Sequence, residues 1–160
     1  VITPPNIIFK EKMHVYAGEY HLQLTHMPGH TDGDLFIYIE TLKTIIAGDL
    51  ITSGKIPYMG DAYIEDWIKA LIHIGDLDAE IYIPGHGDPG GKPILIAMKH
   101  YLFDLRRLVT VQIEKGSSLK ETQDAVRPVL EKKFKNWEKL EWLDDNIERA
   151  YMEFSIKKNS

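Results

Sequence analysis

The stretch HMPGHTDGDLFIYIETLKTIIAGDLI, residues 26–51, decides how the chain is read. It opens on Pro28-Gly29-His30, runs through the apolar segment Leu35–Ile39, turns at Glu40–Lys43, and runs again through Thr44–Ala47 to reach Gly48-Asp49. Short runs of β-branched and aromatic residues separated by a polar turn predict paired strands, and their nearly continuous apolarity predicts strands covered on both faces. Further on, IYIPGHGDPGG, residues 81–91, repeats the pattern: a short apolar run, then Pro84-Gly85-His86. His30, Asp49 and His86 therefore each follow an apolar run, where loops at the mouth of a sheet gather functional side chains. Glycine before each lets the backbone turn sharply.

Working outward, Ile7–Phe9 reads as a strand, and Tyr20–His26 alternates with period two after a turn at Ala17-Gly18-Glu19, which predicts a hairpin. After Asp49 the period changes. Ile64, Trp67, Ile68, Leu71 and Ile72 recur at helical spacing, Asp61 is placed to cap that helix, and Gly75 is placed to end it in a left-handed conformation. Pro93 to Lys115 predicts a long helix with Pro in its first turn and Gly116 after its end. Ser118-Leu119-Lys120-Glu121 has the form of a capping box opening a helix that Pro128 breaks or kinks, and Asp145-Asn146-Ile147-Glu148 has a similar form. Residues 1–160 read as a single domain, with 117–160 as a helical extension packed on it. Glu131, Lys132, Lys133 and Lys135 form a solvated face.

The chain has 160 residues, 44% of them hydrophobic, enough for one core. A net charge of -5 excludes the broad cationic footprint that nucleic acid or anionic membrane requires. No apolar run reaches a membrane span, and no signal-like leader opens the chain, so a cytoplasmic location is expected. There is no cysteine, so any metal must be held by imidazole and carboxylate, the donors that suit zinc, with iron or manganese as alternatives.

The motifs PGHTDGDL, IIAGDL and PGHG resemble the later metal-binding motifs of the metallo-beta-lactamase superfamily of hydrolases, in that family's order; GKIPYMGDAYIEDWIKAL and NIERAYMEF resemble a bacterial branch of general metallo-hydrolases within it. The resemblance implies an α/β (α+β) fold, the C-terminal half of an αββα sandwich with a mixed sheet, helices on one face and extra C-terminal helices. It implies two zinc ions per complete site, with His30 on one, Asp49 bridging both and His86 on the second. The resemblance further implies a hydroxide held between them that would attack an ester, thioester, lactone or amide-like carbonyl. Thr31 and Asp32 are then the residues expected to orient the ligands by hydrogen bonds.

One departure is large. The family's His-x-His-x-Asp-His motif, which supplies most of the remaining ligands, is absent. His14, His21 and His26 precede His30 on the expected hairpin with neither the motif's spacing nor its context, and His21 and His26 read as surface or edge-strand residues. The chain also begins with Val1. The expectation is a domain whose first half is missing, with weak metal binding alone. Its partners are a small-molecule substrate and either the missing segment or a second copy. The alternative is an inactive truncated module that self-associates. Among other residues, His73 reads as a helix-boundary residue, His100 and Asp104 as a solvent-facing pair, and Trp137 and Trp142 as core. Tyr58 and Met59 lie where a loop lines a pocket, and Gly90-Gly91 lacks the features of a phosphate loop.

Overall fold

The computed structural model describes residues 3–158. Five strands form one sheet in sequence order: β1 (Lys12–Ala17), β2 (Tyr20–His26), β3 (Leu35–Ile39), β4 (Thr44–Thr52) and β5 (Ile81–His86). The first four are antiparallel neighbours, while β5 pairs parallel to β4. That parallel pair needs a crossover, supplied by helix α1 (Ile64–Asp76). Helices α2 (Lys92–Glu114), α3 (Leu119–Lys133) and α4 (Leu143–Lys158) follow. The fold is therefore α+β, with a mixed sheet and helices packed against one of its faces.

Alternation along the strands sorts the side chains by face. Phe36, Tyr38, Ile45, Ala47 and Tyr82 are buried beneath the helices, where α1 contributes Ile64, Trp67, Leu71 and Ile74, and α2 contributes Leu95, Met98, Tyr101 and Leu105. On the other face the register aligns Met13, Leu24, Ile37, Ile46 and Ile83 in one row across all five strands. A second row holds Val15, Leu22, Ile39, Thr44 and Ile81. The first row stays only half-buried, and in the second Val15 and Ile81 are exposed. Strands expected to be covered on both faces are thus covered on one.

Several local expectations are corrected. Residues 7–9 form no strand, and Ile7 and Ile8 are 69% and 85% exposed. Helix α1 runs past Gly75 to Asp76 and ends on Leu77, whose backbone is extended, so no left-handed cap is used. Asp61 does not cap α1. The Glu153 carboxylate of α4 accepts from the first amides of that helix, Ile64 N at 2.9 Å and Glu65 N at 3.1 Å. Helix α3 has the complete capping box at Ser118 and Glu121, but it continues through Pro128 to Lys133. Helix α4 begins at Leu143, two residues before the expected box, after a 3-10 turn over Leu140–Trp142. There Asn146 is fully buried and donates to Pro57 O at 2.9 Å and Tyr101 Oη at 2.7 Å. Burial raises the Tyr101 pKa well above its ordinary value, so the phenol stays protonated. No helix of the described residues is long and apolar enough to cross a membrane.

Candidate metal centre

His30 sits in the loop between β2 and β3, and local hydrogen bonds shape that loop. Thr31 donates to the Asp34 carboxylate from both its amide and its hydroxyl, each at 2.9 Å, and Met27 N donates to Asp34 O at 3.0 Å. Gly29 O accepts from Tyr63 N at 2.8 Å, which ties the loop to the start of α1. The His30 ring meets Trp67 edge-on at 5.7 Å, and the Trp67 indole donates to Leu50 O at 2.9 Å. Trp67 thus fixes the histidine loop and the β4 backbone beside Asp49 together.

Asp49 lies inside β4 and not beyond its end, because the strand continues to Thr52 through an irregularity at Gly48. Gly48 has φ +54, a conformation open to glycine at little cost, and it breaks the pleat so that Asp49 turns toward the mouth of the sheet. His86 is the last residue of β5. Close approach of the two parallel strands requires Gly85, since a Cβ there would lie 2.1 Å from Asp49 Oδ1 and 2.8 Å from Gly48 C.

The three residues converge. His30 Nδ1 is 3.9 Å from Asp49 Oδ2, and His86 Nε2 is 3.5 Å from Asp49 Oδ1. Each imidazole therefore addresses a different oxygen of one carboxylate. Two donors on a tetrahedral zinc ion stand about 3.3 Å apart, given bonds near 2.0 Å, so the His86–Asp49 spacing suits a shared ion and His30–Asp49 is slightly wide. The donor types fit zinc, but among the described residues no group of three or more His, Cys, Asp or Glu is set to hold an ion by itself. The fit is that of a partial ligand set.

A cavity of about 50 Å³ opens over the three residues. Its remaining walls include Thr52, Lys55, Pro57, Tyr58 and Trp142. Tyr58 lines it as expected, whereas Met59 is fully buried in the core. Trp142, expected in the core, forms part of the cavity wall, while Trp137 packs against Tyr101 and Phe134. Thr31 and Asp32 do not hydrogen-bond to the three residues: Thr31 is engaged by Asp34, and Asp32 accepts from His26 through its backbone carbonyl at 2.7 Å. The spacing Thr31-x-x-Asp34, a short polar loop closing on itself, was the available signal for Asp34. His73 contacts Phe36, and Asp104 pairs with Lys133 and Arg107 instead of His100. His14 and His21 stack on the exposed hairpin, away from the site, with Nδ1 and Nε2 2.8 Å apart.

The fold is a mixed sheet with two Pro-Gly-His loops whose imidazoles flank one aspartate at its mouth, and comparison with known proteins gives the family. The profile of the metallo-beta-lactamase superfamily matches residues 2–86, and the chain belongs to that superfamily. Acyl-coenzyme A thioesterase MBLAC2 of Homo sapiens is 28% identical over 87 residues, covering 51% of this chain and 31% of the thioesterase. Its Bos taurus counterpart is 26% identical over the same length. The chain thus matches under a third of the length of these curated relatives. Among solved structures, a metallo-beta-lactamase family protein from Thermus thermophilus superposes with a TM-score of 0.67 at 20% identity, over 98% of this chain and 51% of that one. A metallo-beta-lactamase from Pontibacter korlensis gives 0.54 at 21% identity, over 62% and 49%. Both likenesses speak to the fold.

Proposed function

We propose that this chain carries the later half of the metal ligands of a zinc-dependent hydrolase acting on an ester, thioester, lactone or amide-like substrate. The observation that carries the reading is the Asp49 carboxylate placed between two imidazoles, one oxygen toward each. His30 would hold one ion, His86 the other, and Asp49 both. Bound there, zinc supplies Lewis acidity and lowers the pKa of water to near neutrality.

The chain's own residues do the positioning. Gly85 and Gly48 bring Asp49 and His86 within reach, and Trp67 holds His30 in register with Leu50. The thioesterase activity named for the mammalian relatives supports an acyl substrate.

The remaining ligands, in this reading, come from a His-x-His-x-Asp-His segment whose fold covers the open face of the sheet. About half of the Thermus protein lies outside the region matched here, an amount suited to a second sheet layer. Elemental analysis of the chain, alone and with any encoded upstream segment restored, tests this. The expected result is little zinc alone and about two ions in the longer protein. A longer protein that takes up no zinc, and in which His86→Ala changes nothing, refutes the reading.

The two apolar rows favour a second reading, an inactive module that pairs through this face with a second copy of itself. Sedimentation at several concentrations distinguishes it: a reversible dimer supports self-association, and a concentration-independent monomer excludes it.

A further inference from the structure

The hairpin of β1 and β2 carries a cluster of rings that neither the core nor the Asp49 centre uses. The register pairs Tyr16 with His21, His14 with Gln23, and Gln23 with Tyr38, so His14, Tyr16 and His21 lie on the face of the sheet that bears Phe36 and Tyr38. On the hairpin this face is open: His14 and Tyr16 are exposed and His21 is half-buried. It is also the face opposite the apolar rows through Met13 and Leu24. A second sheet layer, or a second copy, seated on those rows therefore leaves the cluster accessible.

His14 Nδ1 and His21 Nε2 stand 2.8 Å apart, and the two rings stack with centroids 5.0 Å apart and 24° between their planes. Tyr16 lies parallel to His21, 4.6 Å away and 5° from its plane, and so restrains the rotation of that imidazole. A single hydrogen bond in contact with water is a weak tie, which a cation can replace. When the shared proton moves through solvent to the outer nitrogen of its own ring, both facing nitrogens present lone pairs and no proton leaves the neutral pair. A turn of either ring about its side-chain bonds then aims the two lone pairs at one point.

The spacing selects the ion. Two donors at right angles on a tetragonal ion, with bonds of about 2.0 Å, stand about 2.8 Å apart, which is the separation seen here. A tetrahedral zinc ion needs about 3.3 Å, closer to the His86–Asp49 distance of 3.5 Å. Tetragonal nitrogen sites suit copper(II), which also leads the first-row divalent ions in affinity. Among the described residues no third His, Cys, Asp or Glu joins the pair, so the remaining positions are open to water. The chain has no cysteine to capture or reduce the ion.

We propose that His14 and His21 form a copper(II) site on the hairpin, separate from the Asp49 centre, with Tyr16 as the residue that positions His21. The site holds an accessible, exchangeable ion and is independent of the hydrolase reading.

The test titrates copper(II) into the metal-free chain, as wild type and as Asp49→Ala, which silences the other centre. Amide NMR locates the ion through the signals it broadens, and electron paramagnetic resonance reports its ligands. The first equivalent is expected to broaden the amides of residues 13–17 and 20–23 in both proteins and to give an axial spectrum with coupling to two imidazole nitrogens. His14→Gln and His21→Gln should each weaken binding about 100-fold, because two rings on one scaffold act as a chelate. His26→Gln, on the same strand, should leave it unchanged. Tyr16→Ala should weaken binding several-fold and Tyr16→Phe, which keeps the stack, should restore it; equal binding in Tyr16→Ala removes the positioning role. The amide spectrum of each variant shows whether the hairpin is folded. A first equivalent that broadens the surroundings of His30 and His86 instead, or undiminished affinity in folded His14→Gln and His21→Gln, overturns the proposal.

Discussion

Gly85→Ala is the perturbation that most sharply probes how the site is built. The added Cβ would stand 2.1 Å from Asp49 Oδ1, 2.8 Å from Gly48 C and 2.9 Å from Asp49 N, where ordinary contact begins near 3.4 Å. The carboxylate can swing aside by rotation about its side-chain bonds. The two backbone atoms cannot, so β4 and β5 must part by several tenths of an ångström at the point where they carry Asp49 and His86. Overpacking of this kind costs about 1–3 kcal/mol, which for a domain of this size lowers the melting temperature by roughly 3–9 °C. Gly33→Ala is the matched control, since nothing lies within 4 Å of the Cβ position there and its φ is not in the left-handed region. Thermal unfolding by circular dichroism should show the loss in Gly85→Ala and none in Gly33→Ala, and NMR should show displaced Asp49 and His86 backbone signals. If Gly85→Ala melts with the wild type and those signals stay in place, the close strand approach does not position the site as described.

Other outcomes follow from the same contacts. Asn146→Ala removes the donor to Pro57 O and Tyr101 Oη in a fully buried place and should cost about 2–3 kcal/mol in urea unfolding; an unchanged midpoint would mean the network is not formed. Glu153→Ala uncaps α1 and should speed hydrogen exchange at the amides of Ile64 and Glu65 first, with about 1 kcal/mol lost overall. Glu121 has its pKa lowered from the ordinary 4.5 by hydrogen bonds from the Ser118 backbone and hydroxyl. Its contribution to α3 is therefore complete above 4.5 and lost as the pH falls through the lower folded value, so the melting difference between the wild type and Glu121→Ala should be present at neutral pH and shrink in acid. A difference that persists undiminished in strong acid contradicts the capping box as the cause.

What could be read from the sequence and what could not divide along a physical line. The hairpin at Gly18, the long helix α2 and the Ser118 capping box depend on residues within a turn or two of one another, and their patterns are local. His30, Asp49 and His86 were legible because Pro-Gly and Gly pauses mark the ends and breaks of apolar strands. Misreadings arose where a distant residue took over a local role. Glu153, 89 positions from Ile64, caps α1 in place of Asp61. Strand β4 outlasts Gly48 because pairing with β5 resumes at Thr52 and His86. Trp142 lines the cavity because Glu138 is stitched to the loop at Gly54 and Ile56. No window of sequence contains both partners of such a contact, so periodicity cannot see it. The uncovered face of the sheet left no mark in the strand pattern, because Ile37 and Ile46 look alike in sequence whether or not anything packs on them; it was expected only from the absence of the family's first half.

The central claim is that His30, Asp49 and His86 act together on metal, and a zinc titration of the chain followed through the histidine ring resonances tests it most directly. The account predicts weak binding that moves the His30 and His86 rings together and is abolished by Asp49→Ala. Zinc that moves only the stacked hairpin pair His14 and His21, or that binds equally well after Asp49→Ala, would contradict it.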